Sequence, residues 1–140
     1  MLRQDCTIEK AIKTSETSLD SIVITDGSGT ILHCNNNWTS VCGYAKNEVI
    51  GKKNRILQGV LTEPYIVNEI NNAIFNKHPT TETVVTNYKK SGLSFKNHLT
   101  ILRLTGGFAA IVRDAGSCDY TISYEQKINA LLNNSIIVPL

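Results

Sequence analysis

A chain of 140 residues is long enough to build one domain with its own core, with no need of disulfides or a structural metal. A formal charge of +2, spread over scattered lysines, argues against a nucleic-acid or membrane surface as partner. No apolar run approaches the roughly 20 residues a membrane-spanning helix needs. The first residues, Met1 to Cys6, lack the apolar core of a secretory signal, so cytoplasm or nucleus is the expected compartment. Cys6, Cys34, Cys42 and Cys118 show no Cys-x-x-Cys or Cys/His ligand spacing and are expected as reduced thiols.

Taken in order, the chain opens on a short helix. Thr7 suits its N-cap, Glu9 its first turn, and Ile8, Ala11 and Ile12 fall on one face before Ser15 to Ser18 interrupt. Ser21 to Thr25 is β-branched, Asp26-Gly27-Ser28-Gly29 is a turn, and Thr30 to Cys34 returns, which predicts a hairpin. Asn35-Asn36-Asn37 offers an Asx cap to a helix over Trp38 to Cys42, closed by Gly43. Lys46 to Ile50 makes one more turn. A longer helix follows, with Thr62 as its expected cap, Pro64 in its first turn, and Ile66, Ile70, Ala73 and Ile74 on one face.

Strand signals dominate from there. Thr81 to Lys89 is rich in Thr and Val, and Lys90-Ser91-Gly92 turns the chain. Ser94 to Leu104 alternates, with Phe95, Asn97, Leu99 and Ile101 on one face. Thr105-Gly106-Gly107 leads into a last strand over Phe108 to Arg113. Tyr120, Tyr124, Ile128 and Leu131 then return to helical spacing, and an apolar tail runs from Ser135 to Leu140. Strands grouped around a run of helices predict an α+β domain on an antiparallel five-stranded sheet.

Three motifs stand along this pattern. They are Gly43-Tyr44; Gly51-Lys52-Lys53-Asn54-Arg55-Ile56-Leu57-Gln58-Gly59; and Asn87-Tyr88-Lys89-Lys90-Ser91-Gly92-Leu93-Ser94-Phe95-Lys96-Asn97. Together they resemble LOV domains, the flavin-binding, light-sensing branch of the PAS family, whose central turn reads roughly Gly-Arg/Lys-Asn-Cys-Arg-Phe-Leu-Gln-Gly. The resemblance implies a PAS fold: a five-stranded antiparallel sheet with short helices on one face and flanking terminal helices. It places the core at 21–114, an N-terminal helical cap at 1–20, and a C-terminal helix and apolar tail at 115–140.

By the same resemblance, Asn87 and Asn97 meet the polar edge of an isoalloxazine ring. A carboxamide offers the donor and acceptor that such an edge needs. Gln58 is implied against the ribityl chain and Arg55 against the terminal phosphate. Three positions depart from the family. Asn54 stands where the photoreactive Cys belongs, Asn71 where a second phosphate arginine belongs, and Val112 where a Gln on the last strand relays the signal. The placing of Val112 rests on its sharing a face with Phe108 and Ala110.

The resulting expectation is a sensory or regulatory LOV-like module without cysteinyl-flavin adduct photochemistry. It would hold FMN or FAD weakly or not at all. Its output would run through the terminal helices and through a homodimer formed on an outward face carrying Val84, Tyr88, Leu102, Ala109 and Ile111. Two alternatives stand beside it: a cofactor-free PAS dimerisation module, and an FAD-based redox-sensing PAS domain, whose Gly-Lys-Asn-x-x-Ile-Leu segment is similar to Gly51–Leu57. No phosphate loop, paired carboxylates or Ser/His/Asp order suggests an enzyme, and His33, His78 and His98 lie on unrelated elements.

Overall fold

The computed structural model describes residues 6–117. The predicted helix beyond Asp119 and the apolar tail lie outside them. The expected hairpin is present as β1 (Ile22–Asp26) and β2 (Ile31–Cys34). Its turn is built by Asp26, whose Oδ1 accepts from the backbone N–H groups of Ser28 (2.9 Å) and Thr30 (3.0 Å). Asn35 then ties three elements together. Its Oδ1 accepts from Trp38 N and Ile22 N, both at 3.0 Å, and its Nδ2 donates to the carbonyls of Ser15 and Asp20. It is thereby the N-cap of α2 (Asn36–Cys42), which closes on Gly43 at φ 85°, a left-handed conformation natural to glycine.

After α3 (Lys46–Val49) comes a 3-10 turn over Asn54–Leu57 and then α4 (Pro64–Phe75). The cap of α4 is Glu63, not Thr62. Both residues are taken by a competing demand, the free edge of β3 (Thr80–Tyr88). Thr62 Oγ1 donates to Thr86 O at 2.6 Å, while the Glu63 carboxylate accepts from Thr86 N at 2.8 Å and Thr86 Oγ1 at 2.9 Å. An exposed strand edge is thus closed by side chains rather than by another strand.

The sheet runs β2-β1-β5-β4-β3, all antiparallel, with β4 at Ser94–Leu104 and β5 at Gly107–Ile111. Gly107 is required where β5 meets β1, since a Cβ there would lie 2.1 Å from Thr25 O. The last strand does not continue unbroken to Arg113. It ends at Ile111, steps across Val112 and Arg113, and resumes as a sixth strand, β6 (Asp114–Ser117), paired with β4. The step stays bonded on both sides: Val112 N donates to Ser21 O at 2.9 Å, and His98 N to Arg113 O at 2.8 Å.

The inner face of the sheet carries the main core, where Phe95, Ile101, Phe108, Ala110, Val23 and Ile31 pack around Trp38. Part of the outer face is covered from the other end of the chain. Helix α1 (Ile8–Thr17), capped by Thr7 Oγ1 accepting from Lys10 N at 3.2 Å, sets Ile8, Ala11 and Ile12 against Ile24, Leu104 and Ala109. It runs beyond the expected break to Thr17, with Ser15 buried and its hydroxyl satisfied by Ile12 O at 2.7 Å. Tyr88 does not join the outer face. Its Oη accepts from Leu61 N at 2.9 Å and its ring lies over Gly59. No helix among the described residues is long and apolar enough to cross a membrane.

Candidate functional site

Between the inner face of the sheet, α4 and the 3-10 turn lies a small interior cavity. Strand alternation turns Val85 and Asn87 of β3, and Asn97 and Leu99 of β4, toward it. Helix α4 contributes Val67 and Ile70, and the 3-10 turn Asn54 and Leu57. Gln58 and Val112 complete the wall. Five of the six residues singled out from the sequence therefore converge on one cavity. Arg55 does not line it and is exposed on the 3-10 turn. Asn71 is half-buried on α4 and does not line it either.

The polar wall is organised around two carboxamides. Asn97, 1 % exposed, donates from Nδ2 to Asn87 Oδ1 at 2.9 Å and accepts Arg113 N at 3.2 Å through its Oδ1. Asn87 directs its own Nδ2 to Thr86 O at 3.3 Å. The pair is thus linked to itself and to the backbone at the β5–β6 step. Asn54 begins the 3-10 turn, its N–H held by Gly29 O at 2.9 Å, and its side-chain Oδ1 is enclosed without a donor.

Around this wall the charges are paired. Lys89 reaches Asp114 at 2.9 Å and lies 5.5 Å over the Phe95 ring, joining β3 to β6. Burial raises the Asp114 carboxyl, but hydrogen bonds from Lys89 and Gly116 N outweigh it and hold the group below its usual range. Glu63 behaves alike: burial works against its charge, and the bonds from Thr86 and Lys96 leave the carboxyl lowered. Arg103, on β4, donates to the carbonyls of Ile74 and His78 at the end of α4 and stacks 5.1 Å over Phe108. Glu63 and Arg103, which pin both ends of α4 to the sheet, escaped the sequence reading. A Glu directly before a helix-opening Pro was the available signal for the first.

Among the described residues, none lining the cavity has a titratable side chain. Acid–base or nucleophilic chemistry has no agent there; hydrogen bonding through amides does. Cys34 and Cys42 are buried in the core outside the cavity wall. Burial pushes the Cys34 thiol up, and that of Cys42 to about 12, so both stay protonated. His33 lies buried beside Glu16 at 3.2 Å, and His98 pairs with Glu82 at 2.7 Å.

The donors and acceptors of Asn87 and Asn97 suit a flavin ring edge, but the space does not. The cavity measures about 20 Å³, whereas pockets for drug-sized ligands enclose about 300–1,000 Å³. Seating a tricyclic ring would require α4 and the 3-10 turn to move away from the sheet.

Comparison with known proteins places the chain. A family model for the PAS domain matches residues 19–115. A blue-light photoreceptor of Listeria monocytogenes is 31% identical over 139 residues, covering 92% of this chain and 54% of that protein. A blue-light-activated histidine kinase of Rhizobium johnstonii is 35% identical over 99 residues, covering 69% of this chain and 28% of that protein. Among solved structures, the LOV domain of a blue-light-activated histidine kinase from Erythrobacter litoralis superposes with a TM-score of 0.66 at 29% identity. That match covers 71% of this chain and 98% of the domain. The chain therefore spans about half the photoreceptor, and less of the kinase.

Proposed function

We propose, from the premise that the chain belongs to the PAS domain family, that it is a LOV-type sensory module working without a cysteinyl-flavin adduct. It holds flavin weakly or not at all and passes its state on through its terminal segments and through self-association. The observation that carries this reading is the cavity wall, where Asn54 presents a carboxamide and no thiol takes part. An amide has no nucleophile to add to a ring carbon.

We read the role as regulatory: the cavity offers hydrogen bonding through amides and shape. In longer proteins such as the kinase of Rhizobium johnstonii, the matching segment is a fraction of the whole. We take this chain to serve likewise as the input to an effector. A second reading, a cofactor-free dimerisation module, is favoured by the cavity volume. For self-association, an apolar groove of about 210 Å³ remains between α1 and the sheet, lined by Ile22, Leu102, Leu104, Ala109 and Ile111.

The test is spectroscopic. Purified protein, alone and after incubation with FMN or FAD, is scanned around 450 nm and then illuminated with blue light (approximate flavin bands). The expected outcome is little or no retained flavin, and no reversible conversion to a species absorbing near 390 nm (again approximate). Reversible conversion in the wild type would overturn the reading. Light scattering at high micromolar protein should give a dimer mass; a monomer would remove self-association from it.

A further inference from the structure

Of the buried polar atoms left without a partner among the described residues, Asn54 Oδ1 is the one whose side chain lines the interior cavity. The residue is 7% exposed, and native proteins rarely leave such a carbonyl unpaired. The neighbouring wall has hydrogen-bonding capacity to spare. Each amide NH2 has two hydrogens, and Asn97 spends one on Asn87 Oδ1 while Asn87 spends one on Thr86 O. An occupant must therefore donate to Asn54 and accept from the asparagine pair.

Size narrows the choice. The cavity of about 20 Å³ exceeds the roughly 10–15 Å³ that one water requires. Leu57, Val67, Ile70 and Leu99 close the rest of the wall with apolar surface, so the polar partners of an occupant are the amides alone. We infer that the interior cavity is a hydration site, in which one buried water bridges Asn54 and the Asn87–Asn97 pair, and that the chain so hydrated excludes planar ring ligands. The assignment survives a flip of the Asn54 amide, because water then accepts from the N–H2 instead of donating to the oxygen. It rests on the same cavity as the proposed function but says what occupies it.

A high-resolution crystal structure of the purified chain tests this directly. The expected result is an ordered water within about 2.7–3.2 Å of the Asn54 amide and of Asn87 or Asn97. In solution, cross-relaxation between a long-lived water and the Asn87 or Asn97 side-chain amide protons should be seen. Asn54→Leu, similar in shape and without polar atoms, should abolish that signal at a melting temperature within about 3 °C of wild type. If Asn54→Leu does not fold, the wild-type water signals decide alone. A cavity without ordered water, or one holding flavin, overturns the hydration site. Retained flavin that forms no adduct would do so while leaving the adduct-free reading standing, and an adduct would remove that reading as well.

Discussion

Replacing Asn97 by Leu puts a number on the polar wall. The substitution keeps the shape but withdraws the donor from Asn87 Oδ1 and the acceptor from Arg113 N. Leaving a buried polar group unpaired costs about 1–3 kcal/mol, so two such groups predict a loss of about 3 kcal/mol. In a domain of this size that lowers the melting temperature by about 10 °C. Asn87→Leu orphans only Asn97 Nδ2 and should cost about 1.5 kcal/mol. In the double variant only Arg113 N lacks its partner, so its cost should also be about 1.5 kcal/mol, less than that of Asn97→Leu alone. The cycle then gives a coupling of about −3 kcal/mol between the two sites. Urea unfolding of the four proteins, read by far-ultraviolet circular dichroism, measures each quantity. Additive single-variant costs would show that the pair is not mutually satisfied and would refute the reasoning.

The Glu63 carboxyl is held below its ordinary value of 4.5, so it binds fewer protons folded than unfolded. Its contribution is present above pH 4.5 and lost as pH falls through the lowered folded value. Melting curves of wild type and Glu63→Gln should therefore differ near neutral pH and converge in acid; a constant gap would argue against the bonds to Thr86. Gly59→Ala sets a Cβ 2.4 Å from the Tyr88 ring, and such overpacking costs about 1–3 kcal/mol. Tyr88→Leu should recover part of that loss in a urea titration, and no recovery would place the strain elsewhere. The Cys42 thiol, pushed up to about 12 by burial, and the buried Cys34 should resist iodoacetamide at pH 8 in the native protein, while half-buried Cys6 reacts. Mass spectrometry of peptides labelled before and after denaturation distinguishes them.

Local chemistry carried much of this molecule. The Thr7 cap, the Asp26 turn, the left-handed Gly43 and the alternation of Phe95, Asn97, Leu99 and Ile101 depend on neighbours within a few residues, and each was legible in order. Alternation also foretold that Asn97 would point inward with Phe95 and Leu99, and that Val112 would share a face with Phe108 and Ala110, while Asn87 was placed by the family resemblance alone. What depended on distant partners was not legible. Thr62 reads as a helix cap until the free edge of β3 claims its hydroxyl, twenty-four residues away. Nothing near Arg113 announces that its N–H will be taken by Asn97 and the strand stepped into β6. The outward face reads from the sequence as a self-association surface, yet α1 covers part of it, a choice made by docking two apolar stripes rather than by either stripe alone. Residue identity set the chemistry of the cavity, amides without a thiol. Its volume came only from how closely α4 and the 3-10 turn pack on the sheet, which is a property of the assembled core.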